Sequence, residues 1–143
     1  MESRFPDLSE NHRRAISTAA LLLDEMLCEF EEYARGRERH SVLYGERNRL
    51  SSGQRKRLLR EIEQAREILS EVTDVLELKG KEEDVRQKIW AAASSFWEVL
   101  VETEAKHLRR YGQMPPGLGD YLDPRMETLI QHLRKMSRIA GGG

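Results

Sequence analysis

The stretch LLREIEQAREILSEVTDVL, residues 58–76, decides the fold class. Its apolar residues Leu58, Ile62, Ala65, Leu69, Val72 and Leu76 recur at spacings of 4, 3, 4, 3 and 4. That repeat keeps one stripe of a helix turned toward a neighbour, so the helix packs nearly parallel or antiparallel to it. Ser51, with Gln54 three residues on, predicts a capping box at the start, and Gly80 a stop at the end. The predicted helix covers 52–79.

Three further helices follow from the same reasoning. The first is predicted over 8–35, capped by Asp7 with Glu10 as its capping-box partner and ended by Gly36. Its stripe is Ile16, Ala20, Leu23, Leu27, Phe30 and Ala34, with Ala19 and Met26 beside it. The third is predicted over 82–111, stopping at Gly112, and has the widest apolar face. Val85, Ala92, Phe96 and Val99 line one flank, and Trp90, Trp97, Val101 and Leu108 the other. A face this wide, roughly 200°, implies two neighbours and a central position. The fourth is short, predicted over 124–139, with Asp123 as cap and Pro124 in the first position.

Composition agrees. Of 143 residues, 71 are Ala, Glu, Leu, Lys or Arg, the balance of long helices. Hydrophobic residues are only 38% and charged residues 34%, enough for a narrow core between helices but not for a broad covered sheet. The longest strictly apolar run, Ala19–Leu23, is far short of the ~20 residues of a membrane span. The expectation is a single all-α domain over 1–143, an up-down antiparallel bundle of three long helices and a short C-terminal one. Met1–Asp7 holds no apolar leader core, and Cys28 is the lone cysteine, so a cytoplasmic location is expected. The final Gly141-Gly142-Gly143 is assigned no function.

Charge is unevenly placed. The net charge is −1, yet residues 35–60 carry nine basic groups against Glu38 and Glu46, leaving that segment at +7 and the remainder at −8. The basic groups are Arg35, Arg37, Arg39, Arg47, Arg49, Arg55, Lys56, Arg57 and Arg60. The last four fall in or near the first turns of helix two, where the helix dipole disfavours cations. In an up-down bundle the end of helix three shares this pole, which adds Lys106, Arg109 and Arg110. One expectation is an anion- or partner-binding pole, with His40 included. The competing expectation is a salt-bridged cap neutralised by Glu29, Glu31 and Glu32.

Catalytic signals are thin. Arg35-Gly-Arg-Glu-Arg-His40 has an Arg-x4-His spacing that resembles the Arg/His motif of helical HEPN-type ribonucleases. In that family the pair would position and protonate at an RNA phosphodiester. Here Gly36 interrupts the helix between the two residues, and the usual polar residue after the Arg is missing. Arg125 and His132 offer a looser Arg-x6-His. Glu104-Ala-Lys-His107 is half of a di-iron Glu-x-x-His pattern, without the second half that such bundles need. No cofactor or metal site is expected. Thr103 and His107 read instead as a polar layer in the central helix.

The functional expectation is therefore a non-enzymatic cytoplasmic interaction or regulatory bundle working through its basic pole. The alternative is an RNA-binding or RNA-cleaving helical protein using the same pole. Trp90 and Trp97 are expected to complete the core. The part of their flank that helix four is too short to cover, with Leu108, is the expected interface of a homodimer.

Overall fold

The computed structural model describes residues 4–142, so Met1–Ser3 of the leader reading and Gly143 of the glycine run lie outside it. The described residues form an all-helical structure, with 70% in helix and no strand. The elements are α1 (Glu10–Ala34), α2 (Ser52–Leu76), α3 (Val85–Val101), the single turn α4 (Ala105–Leu108) continued by a 3-10 turn (Arg109–Tyr111), and α5 (Leu118–Ala140). The chain divides between Lys81 and Glu82 into two compact units, each a helical hairpin.

In the first unit α1 and α2 run antiparallel, as three cross-links along their length record. At one end the Arg13 guanidinium, near the start of α1, donates to the carbonyl of Leu76, the last residue of α2. From the middle of α2 Arg66 donates to Glu31, in the last turn of α1, at 2.8 Å. At the other end the Arg55 side chain lies against Gly36. A cation beside the final carbonyls of a helix meets the negative end of its dipole, so Arg13 is placed where it stabilises α2. The heptad residues turn inward: Ile62 is 3% exposed, and Leu58, Ala65, Leu69, Val72 and Leu76 are half-buried. Across from them α1 contributes buried Leu27 and Ala34.

Two boundaries in this unit differ from expectation. Ser9, not Asp7, caps α1, its hydroxyl accepting from His12 N at 3.1 Å. The α2 capping box is as expected, with Ser51 and Gln54 exchanging bonds of 3.0 and 2.8 Å. The helix stops at Leu76, well before Gly80. Glu77 takes a left-handed conformation at φ 53°, and the Leu78 N–H reaches back to the Thr73 carbonyl at 3.0 Å. This doubled-back closure turns Leu78 inward to a half-buried position, which offsets the strain of a left-handed non-glycine residue.

In the second unit α3 and α5 run antiparallel. Arg86 reaches the Ala140 carbonyl at 3.3 Å, and the Ser94 and Ser137 hydroxyls share a 2.7 Å bond. Small residues on α3 permit the close approach, with Ala93 buried at 9% and Ile130 of α5 at 2%.

The expected third helix, 82–111, is broken. Asp84 caps it at Val85, and it ends at Val101, after which Glu104 is extended at ψ 152°. The cause is Asp123: its carboxylate accepts from Ala105 N at 2.9 Å and so starts a new turn there. Asp123 therefore caps α4, not the last helix. That last helix begins at Leu118 after Gly117 at φ 84°, and Pro124 lies inside it, not at its first position. The break also separates Thr103 from His107, so no polar layer forms on one continuous helix; the Thr103 hydroxyl bonds the Leu100 carbonyl instead.

Candidate binding site at the α1–α2 connection

The connection between α1 and α2 is a loop held together by side-chain hydrogen bonds. Its centre is Glu46. The carboxylate accepts from the Tyr33 hydroxyl, from the Tyr44 hydroxyl at 3.1 Å, and from Arg39 N and Nε at 3.0 and 3.1 Å. The Tyr33 bond leads in holding the Glu46 carboxyl down to about 2, well below the ordinary 4.5. Asn48 closes the other side. Its amide donates to the carbonyls of Tyr33 and Arg37 at 2.7 and 2.9 Å, a second donor for Tyr33 O beside Gly36 N, and so ties the loop to the end of α1. Asn48 N in turn donates to Glu38 at 2.6 Å, lowering the Glu38 pKa, and the same carboxylate group meets His40.

Between these anchors the chain makes a small hairpin. His40 pairs with Gly45, Ser41 N bonds Tyr44 O at 2.8 Å, and Glu46 N bonds Arg39 O at 2.8 Å. The tip holds Val42 and Leu43, 95% and 99% exposed. Two aliphatic side chains held fully in water by a polar network contribute nothing to the core.

Gly36 explains how α2 begins beside the end of α1. Its φ is +95°, and a Cβ there would come within 2.8 Å of the Arg55 guanidinium. Glycine supplies both the backbone turn and the room. The Arg55 cation lies at the C-terminal end of α1, so the negative end of that dipole offsets the cost of placing it near the start of α2. Its Nε is buried without a hydrogen-bond partner.

Carboxylates and cations sort into two groups. Glu31 pairs with Arg66 and, at 3.6 Å, with Arg35; Glu32 with Arg37; Glu46 with Arg39. The Arg66 bond is the main cause of a lowered Glu31 pKa. Among the described residues Arg47, Arg49, Arg55, Lys56, Arg57 and Arg60 stand in no ion pair, although Arg47 lies near enough to Glu38 to help stabilise its charge. The expected neutralisation of Arg55, Lys56, Arg57 and Arg60 by Glu29, Glu31 and Glu32 is thus not what those carboxylates do.

Beside the loop an open groove of ≈ 690 Å³ combines both chemistries. Phe30, Tyr33, Leu50 and Leu58 give it an apolar floor, and Arg37, Arg47 and Arg49 stand along it. Sequence reasoning named the arginines but missed Tyr33, Glu46, Asn48 and the Val42–Leu43 tip. The available signal was Val42-Leu43-Tyr44-Gly45, a short β-favouring run closed by glycine within a polar loop.

The other expected site residues are dispersed. Arg35 sits by Glu31 and His40 by Glu38, each held by its own carboxylate rather than aimed at a shared centre. Lys106, Arg109 and Arg110 belong to the second unit, where Arg110 pairs with Glu102 at 2.5 Å and lies over the Tyr111 ring. Trp90 and Trp97 remain 44% and 39% exposed rather than completing a core, and Leu108 is half-buried. Among the described residues no group of His, Cys, Asp and Glu is arranged to hold a metal, and no helix is long and apolar enough to cross a membrane. Compared with known protein families, curated proteins and solved structures, the chain matches none. Function has to be argued from this geometry.

Proposed function

We propose that this protein is a non-enzymatic interaction or regulatory helical protein that engages an acidic partner through the cationic end of the α1–α2 unit. One observation carries the reading. Six cations at that end, Arg47, Arg49, Arg55, Lys56, Arg57 and Arg60, stand in no ion pair among the described residues, while Glu31, Glu32 and Glu46 are taken by other arginines. Unpaired cations gathered on an ordered loop and an adjoining helix raise the local potential and favour encounter with an anionic surface.

The alternative occupant is RNA, bound or cleaved at the same end. Salt separates the two. Binding of a single-stranded nucleic acid through five or more cations weakens about a hundredfold or more between about 50 and 200 mM salt, whereas a contact with an apolar component loses far less. Titration of single-stranded RNA and of a synthetic peptide carrying apolar residues among glutamates at both salt concentrations is the test. Retention of the peptide at 200 mM salt with loss of RNA supports the protein partner. Tight RNA binding with the steep salt dependence, and no peptide binding, overturns it.

The up-down bundle and the homodimer belong to the same reading. Leu22 and Met26 on α1 and Trp90, Phe96 and Trp97 on α3 are large apolar side chains with substantial exposure. Soluble chains seldom leave such faces open, which supports their closure in the assembled protein, including by a second copy. Sedimentation equilibrium should therefore give a mass above 16.6 kDa at high micromolar concentration. The exposed free thiol Cys28 suits a reducing compartment, and the cytoplasm is the location assumed.

A further inference from the structure

We infer that the groove beside the α1–α2 connection is a receptor for a short acidic-and-apolar segment of a partner protein, with one large apolar side chain seated on its floor and flanking carboxylates on Arg47 and Arg49. The inference rests on the reading that this end of the first unit is a contact surface, and it names what is contacted. Phe30, Tyr33, Leu50 and Leu58 form a floor that is half-buried in this chain, so an incoming apolar group removes from water a surface already mostly desolvated. Arg47 and Arg49 are exposed, stand in no ion pair among the described residues, and line the same groove. Their forked guanidinium groups match carboxylates in geometry as well as charge.

Three features select a peptide over other anions. The groove is open along one side rather than enclosed, which suits a segment of a larger molecule lying across it. Its floor sets the aliphatic Leu50 and Leu58 beside Phe30 and Tyr33, a mixed surface that an apolar side chain covers whole, whereas a nucleic-acid base would use the aromatic faces alone. The same loop also presents Val42 and Leu43 to solvent at 95% and 99% exposure, a second apolar element facing outward where nucleic acid would gain nothing. The one carboxylate lining the groove, Glu46, is occupied by Tyr33, Tyr44 and Arg39, so its charge is offset within the loop. The site is also pre-formed. Asn48 and Glu46 fix the loop before any partner arrives, so little ordering is left to oppose binding.

The test uses the full chain and two synthetic peptides, one carrying leucine and phenylalanine among glutamates, the other with serine in place of both apolar residues. Isothermal titration and 15N-edited spectra are recorded at 50 mM salt. The first peptide should bind at least about tenfold tighter than the second, a difference of about 1.4 kcal/mol. Shifts should cluster at Tyr33, Arg47, Arg49, Leu50 and Gln54. The double variant Arg47→Gln, Arg49→Gln should lose about tenfold or more for the first peptide with an unchanged circular dichroism spectrum, since neither arginine stands in an ion pair among the described residues and Arg47 only adds to the field at Glu38. Equal binding of the two peptides overturns the groove but leaves the cationic contact surface standing. Failure of both peptides to bind overturns both. Capture by phosphatidylserine vesicles with no peptide binding also overturns the groove, and assigns the Val42–Leu43 tip to a lipid surface.

Discussion

The hydroxyl of Tyr33, in the last turn of α1, donates to the carboxylate of Glu46, thirteen residues further along the chain. That bond, with those from Tyr44 and Arg39, ties an exposed loop to the end of a helix and holds the Glu46 pKa near 2. A carboxyl lowered in the folded state contributes stability that is fully present above its unfolded value of about 4.5 and is lost as pH falls toward 2. The loop should therefore keep its amide-exchange protection at Ser41 and Glu46 through pH 5 and lose it progressively below about 4. Glu46→Gln should show reduced protection at neutral pH, because the neutral amide holds Tyr33 and Arg39 less strongly. Unchanged protection in Glu46→Gln would show that the backbone alone orders the loop.

The seam of α2 is graded, and stability should follow the gradient. Ile62 is 3% exposed, so Ile62→Ala should cost about 2–5 kcal/mol as a large-to-small change in a packed site. Leu69 is half-buried and lies beside a small opening lined by Leu21, Thr73 and Leu78, so Leu69→Ala should cost less, about 1–2 kcal/mol. Chemical denaturation of the two variants gives the comparison. An equal cost at both positions would mean that a further surface covers Leu69 in solution.

Asp123 offers a sharper check on the second unit, because its role depends on where the helices break. It accepts from Ala105 N at 2.9 Å and starts α4. Asp123→Ala should cost about 1 kcal/mol and release the Ala105 amide to exchange, while Asp123→Asn, which keeps an acceptor, should cost less. If the residue instead capped a helix beginning at Pro124, exchange at Ala105 would not respond.

That residue also marks how far the fold was legible in the sequence. Period and local capping placed α1 and α2 within a few residues, because the heptad stripe and the Ser51–Gln54 box are set by neighbours in the chain. The break after Val101 was invisible, since residues 102–111 are good helix formers and the group that interrupts them lies eighteen positions away. Asp123 followed by Pro124 has every local mark of a helix start, and a tertiary hydrogen bond overrides it. The candidate site divides the same way. Composition identified the cations, but which carboxylates they meet depends on geometry: Glu31 is taken by Arg66, a residue outside the basic segment. Tyr33 and Phe30 read only as helix-one residues until the loop folds over them.

Whether Lys56, Arg57 and Arg60 are structural or free for contact is decided by replacing all three with Gln. None of them stands in an ion pair among the described residues; the nearest structural link is a 3.4 Å bond from Arg57 Nε to the Gly53 carbonyl within its own helix. Lys56 and Arg57 sit in the second turn of α2, where the positive end of the dipole weakly opposes a cation, and Arg60 lies in the third. Arg55 is left intact, because its side chain packs on Gly36 and its loss would remove contacts as well as charge. The thermal midpoint of the triple variant should therefore stay level or rise slightly, and more so at low salt, where the dipole is least screened. Binding of the glutamate-rich peptide should fall at the same time, and less steeply with added salt than in the wild type, since fewer counterions are exchanged. A clear drop in midpoint would mean that these cations are held by carboxylates in solution, and the contact surface would then shrink to Arg47 and Arg49.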